Sequence, residues 1–98
     1  MEFSILSNLN QIVFSYEETN NKKSFIVSID SKYTLTKKIK NKKVENNIGY
    51  ITFDVTENYL GNIIIADKDI IIDYSEDYTV LGIEFLSLDT ELREFLNQ

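Results

Sequence analysis

Ninety-eight residues suffice for one hydrophobic core, and the absence of Cys and His excludes a disulfide framework, a thiolate metal site, a thiol nucleophile and the commonest general base. The net charge of −6 divides unevenly, with +4 in residues 1–44 and −10 in residues 45–98. The second half therefore disfavours nucleic acid and favours a basic partner, although charge of this size also serves plain solubility.

Residues 2–10 are ambiguous: Phe3, Leu6 and Leu9 recur every three positions in a window too short to separate helix from strand. The start lacks the basic and apolar regions of a signal peptide, and no apolar run approaches the roughly 18 residues that span a bilayer, so a cytoplasmic protein without membrane contact is expected. From Gln11, Ile12, Phe14 and Tyr16 alternate with Val13, Ser15 and Glu17; beyond a polar loop over 19–23, Phe25, Val27 and Ile29 alternate with Ser24, Ile26 and Ser28. Two such runs read as a β-hairpin. A third run sets Tyr33, Leu35 and Ile39 against Thr34, Thr36 and Lys38.

Five Lys in the seven residues 37–43 suggest either a phosphate-contacting patch or a charged sheet edge. With no Arg in the run, the edge or a solvated loop is the better reading. A fourth strand over 48–55 turns Ile51, Phe53 and Val55 inward and Tyr50, Thr52 and Asp54 outward. The two isoleucine runs, residues 63–65 and 70–72, flank Asp67, Lys68 and Asp69; the polar turn 75–77 leads to a last strand whose Leu81, Ile83 and Phe85 face the core. Runs apolar at consecutive positions predict cover on both sheet faces. One cover is a C-terminal helix carrying the stripe Leu88, Leu92, Phe95 and Leu96, with Asp89 as its cap and Glu91 in its first turn. The other is the N-terminal segment, a curled sheet or a partner.

Together these elements predict a single α+β domain over 1–98: an antiparallel β-meander of six to seven strands with one C-terminal helix packed on it. Residues 1–43 supply an extra hairpin and strand, and residues 44–98 the meander and helix.

Residues 49–53 (GYITF) and 73–86 (DYSEDYTVLGIEFL) resemble DUF2283, a family of small bacterial domains of unknown function, in its aromatic strand and its DYDEDGxLVGIEIL-like segment. Ser75 replaces a family Asp and Tyr78 a family turn Gly. Because Tyr tolerates positive φ poorly, the turn is expected to open or lengthen. The resemblance covers a little over half the chain. It implies a compact antiparallel meander closed by a helix, with no established activity, and a leaning toward partnership with small toxin-like proteins.

No constellation for catalysis stands out. An EF-hand aligned on Asp67 fails at Ile71, Ile72 and Tyr78, so no metal and no cofactor is expected. Asp73 and Glu84 lie on strands that can pair, and two adjoining carboxyls split their pKa values. Glu84 is expected to face solvent or to pair with a cross-strand Lys. Ser, Thr and Lys nucleophiles have no His to activate them, and neither a P-loop nor a dinucleotide fingerprint is present. Tyr50, Tyr59, Tyr74 and Tyr78 cluster near acidic turns, a composition suited to a protein interface and unsuited to RNA.

The expected function is a non-enzymatic, protein-binding one: an immunity protein or antitoxin that neutralises a basic toxin, with a nuclease as the natural target. The expected contacts are Asp67, Asp69, Asp73, Tyr74, Glu76, Asp77 and Tyr78. Alternatives are a self-associating structural or regulatory domain that forms a homodimer, and a phage-type nucleic-acid mimic that blocks a DNA-binding protein.

Overall fold

Among the described residues, eight strands and one short α-helix follow one another: β1 (Glu2–Leu6), β2 (Gln11–Glu18), β3 (Asn21–Ser28), β4 (Ile39–Glu45), β5 (Ile48–Phe53), β6 (Tyr59–Ile65), β7 (Ile70–Ser75), β8 (Val80–Phe85) and α1 (Thr90–Leu96). The computed structural model describes residues 2–6, 11–18, 21–35 and 38–97, with side chains from residue 27 onward except at Glu91. The faces expected for Ile12, Phe14, Tyr16 and Phe25, and the positions of Leu9, Thr19, Asn20, Thr36 and Lys37, lie outside the described residues.

The strands form two antiparallel sheets, β1-β2-β3 and β4-β5-β8-β7-β6. The α+β class thus holds, with a short C-terminal helix on a five-stranded sheet. The strand count and the connection differ from expectation. Within the five-stranded sheet the meander is confined to β6, β7 and β8; β5 pairs with β8 and not with β6. Residues 54–58 therefore carry the chain from the middle of the sheet to its far edge, a Greek-key step. The run at 33–39 is not a full strand either. Thr34 makes one isolated parallel bridge to Thr79, giving and taking hydrogen bonds of 2.8 Å with Tyr78 and Val80. Tyr33, Leu35 and Ile39 nevertheless pack against the core, as their alternation implies.

One row across the sheet explains the core. Lys42, Ile51, Ile83, Ile72 and Ile63 are cross-strand neighbours, and the three central members are buried. Phe53, Ile70, Val80 and Phe85 share their cluster, joined by Val27 of β3 and by Leu92, Phe95 and Leu96 of α1. Each such side chain contributes about 1.5–3 kcal/mol through burial. The helix seats closely because β5 offers Gly49 there: a Cβ would run into the side chains of Leu96 and Leu88. Asp89 caps α1 as its position implies, accepting from the Leu92 N–H at 2.8 Å.

The last strand departs from simple alternation. Asp73 pairs with Gly82 and Tyr74 with Val80, so Leu81 is the extra residue of a bulge. That shift puts Val80, Ile83 and Phe85 in the core and leaves Leu81 only half-buried, correcting the expected phase.

Candidate functional site

Consecutive turns of an antiparallel meander fall at opposite ends of the sheet, and this divides the acidic residues. Asp67 sits in a single 3-10 turn (Ala66–Lys68), closed by Asp69 at φ 52°. Glu76 and Asp77 occupy the next turn, at the other end of the six-residue β7, about 20 Å away at ~3.4 Å per residue. Asp73 lies between them on the strand itself. The expected acidic contacts thus form three separate places.

At the first place, Asp67, Lys68, Asp69, Ser87 and Asp89 line a shallow concavity of about 290 Å³ together with Phe85 and Leu92. Among the described residues no group of three or more acidic, His or Cys side chains is arranged to hold a metal ion.

At the second, Ser75 organises the turn. Its side chain is fully buried; Oγ donates to Glu57 Oε1 at 3.0 Å and accepts from the N–H groups of Asp77 at 3.2 Å and Thr79 at 3.1 Å. The turn does not open at Tyr78. Tyr78 takes the left-handed conformation, φ 59°, and its N–H donates to the Ser75 carbonyl at 2.9 Å. The ring offsets that strain: it stacks on Tyr74 with centroids 6.0 Å apart, meets Tyr33 edge-on at 5.7 Å, and lies under the Lys32 ammonium at 4.7 Å. Tyr74 leans over Gly61, where a Cβ would stand 3.1 Å from its hydroxyl. Desolvation in this cluster raises the Tyr33 hydroxyl above its ordinary value, opposed in part by the Lys32 charge. Glu76, Asp77 and Tyr78 are exposed around this aromatic group.

The third place is the outer sheet face. Asp73 stands opposite Gly82 and Glu84 opposite Ile71, so the two carboxyls meet on the diagonal between β7 and β8. A hydrogen bond between them requires a proton on one of them, because ionised carboxylates only accept. Desolvation first, then the Glu84 charge and this bond, push the Asp73 carboxyl up to about 7. Among the described residues Glu84 has no Lys partner: its register neighbours are Tyr50 and Ile71. Lys43, one strand farther, pairs with Glu45 at 3.1 Å and covers the Tyr50 ring. The pair lies on an open sheet face, and the concavities at residues 28–33 and 63–67, at Asp67 and Asp89, and at Ile39 and Phe95 do not include it.

The Lys-rich run forms the edge strand β4, where Lys42 stacks on Phe95 at 4.4 Å; before it, Lys38 pairs with Asp54 at 3.1 Å. Sequence reasoning placed Ser75 in the polar turn without seeing its buried role, and missed Lys32, Tyr33 and Glu57 as parts of it. Only Tyr33 carried a signal, as an inward member of an alternating run; the others depend on long-range contacts.

Compared with protein-family models, curated proteins and solved structures, the chain matches none. Among the described residues no helix is long and apolar enough to cross a membrane.

Proposed function

We propose that this chain is a non-enzymatic binding protein, an immunity protein or antitoxin that covers a basic surface of a toxin, with a nuclease as the natural target. The observation that carries the reading is the β7–β8 turn. There Tyr78 is held at positive φ with its ring fixed beside the exposed carboxylates of Glu76 and Asp77. A strained non-Gly backbone kept by its surroundings is a feature of binding and switch sites, and a rigid Tyr among charges suits an interface anchor. The −10 charge of residues 45–98 would steer a cationic partner toward it. A nuclease fits because its phosphate-binding surface must be positive.

On this reading the contacts are Glu76, Asp77, Tyr78 and Tyr74, with Asp67, Asp69 and Asp73 contributing long-range field. The DUF2283 resemblance is part of the proposal, since it rests on the same turn. The test is capture of partners from the native cells on the immobilised chain at low salt. A small basic protein should be retained, released as screening rises, and lost when Glu76 and Asp77 are both changed to Lys with the circular dichroism unchanged. Retention that is indifferent to salt and to those changes removes the proposal.

A further inference from the structure

Strand β6 ends the five-stranded sheet on one side, and among the described residues it pairs only with β7. Alternate N–H and C=O groups along it therefore point outward with no strand to receive them. The opposite edge, β4, is guarded by Lys40, Lys42 and Lys43, whereas β6 reads YLGNIII and carries no charge. Past the bulge at Tyr59/Gly61 the stretch from Gly61 to Ile65 is regular, about 17 Å long at ~3.4 Å per residue. Its two faces differ. Ile63 and Ile65 pack against the core, as Ile29 and Tyr33 do, and these four line an open groove of about 660 Å³ beside the strand. Ile64 turns the other way and is 67 % exposed.

The ends of this strip decide what fits it. Asp67 and Asp69, both exposed, follow its last residue. At the other end stand the exposed Glu57, just ahead of β6, and the exposed Glu76, whose N–H donates to the Asn58 carbonyl at 3.2 Å. An uncharged apolar strip is thus bracketed by carboxylates at both ends. A second copy of this chain brings carboxylates against carboxylates whichever way it runs, and is repelled. We propose that β6 takes, by strand addition, an extended segment of a different protein: about five uncharged β-forming residues with Lys or Arg on both flanks. Main-chain hydrogen bonds supply the attraction. Alternate side chains of the added strand enter the groove at Ile29 and Ile63 or cover Ile64, and the cationic flanks meet the two acidic ends. The cation already on the groove wall, Lys32, lies over the rings of Tyr33 and Tyr78 at 5.4 and 4.7 Å, with Asp30 beside it to balance its charge.

The probe is the peptide acetyl-Lys-Arg-Val-Thr-Val-Thr-Val-Arg-Lys-amide, titrated into the full chain and followed by amide NMR, with sedimentation equilibrium of the chain alone beside it. The peptide should bind with a Kd below about 1 mM, and the shifts should centre on residues 61–65. The same peptide with Glu in place of its terminal cations, or methylated on its central backbone nitrogens, should bind at least about tenfold more weakly. Ile64→Lys, at an exposed position, should weaken binding at least about tenfold, and Asp67→Lys about two- to fivefold, with far-UV circular dichroism unchanged in both. No binding at about 1 mM, binding indifferent to the peptide's end charges or to Ile64→Lys, or a chain already dimeric through β6 overturns the proposal. Glu76, Asp77 and any toxin stay out of this test, so it can fail while the proposed function stands, and the reverse.

Discussion

Ile72 and Ile71 are neighbours in one apolar run, yet they live on different faces of the sheet. Ile72 is fully buried, with Ile63 and Ile83 beside it. Ile71 is half-buried, with Ile64 and Glu84 beside it. Among the described residues, the helix and the N-terminal strand β3 join the inner-face core through Leu92, Phe95, Leu96 and Val27. Within one copy of the chain, then, the apolar run is fully buried on the inner face and partly open on the outer one. The outer face carries the diagonal Asp73–Glu84 carboxyl pair and borders the uncharged strand β6.

The largest expected contrast breaks or upholds that division directly. Ile72→Ala should lower the unfolding free energy by about 2–5 kcal/mol, because it leaves a cavity in a closed core. Ile71→Ala should cost less than about 1 kcal/mol, since its neighbours remain partly solvated. Equal losses in urea titrations would mean that the outer face is covered after all.

Next comes Ser75, whose buried hydroxyl serves Glu57, Asp77 and Thr79. Ser75→Ala strands two backbone N–H groups of the turn and should cost ~1–3 kcal/mol. The same denaturation measurement checks it, and no loss would show that water readily replaces the hydroxyl.

A smaller effect belongs to the outer-face pair. Asp73 ionises near 3.8 in an unfolded chain and near 7 in the fold, so between those values the folded state binds more protons. Its stabilising contribution is full below about pH 4 and is lost as pH rises through about 7. Solvent screening at this half-exposed position reduces the size to on the order of 1 kcal/mol. Asp73→Asn, which keeps a donor for Glu84, should flatten the melting temperature across that window. An unchanged slope would assign the pH dependence elsewhere.

Smallest of all is Ile64→Ala, expected within about 0.5 kcal/mol for a single copy. A loss above about 1 kcal/mol would instead show that Ile64 is covered in solution.

Much of this architecture was legible because local signals agreed. The alternation of Ile51, Phe53 and Val55, the stripe from Leu88 to Leu96 and the cap at Asp89 are local signals, and a strand and a helix formed there, the strand ending at Phe53 with Val55 still packed on the core. The acidic contacts were not legible as a site. Asp67 and Asp77 are near in sequence, but the intervening strand sends their turns to opposite ends. The resemblance to a Gly-bearing turn likewise pointed to an opened loop at Tyr78, because the contacts that hold Tyr78 at positive φ come from Tyr33, forty-five positions earlier in the numbering.

By itself, then, the sequence determined most of the strands, the C-terminal helix, and the sign of the charge on each half, since those follow from side chains a few positions apart; β1 and the broken run at 33–39 were beyond it. Tertiary structure alone decided that β5 joins β8, that Leu81 slips out of phase, that Asp73 meets Glu84, and that an uncharged strand ends the sheet. Those are matters of register and strand order. They are fixed by how side chains distant in the chain share one core, and no local period records them.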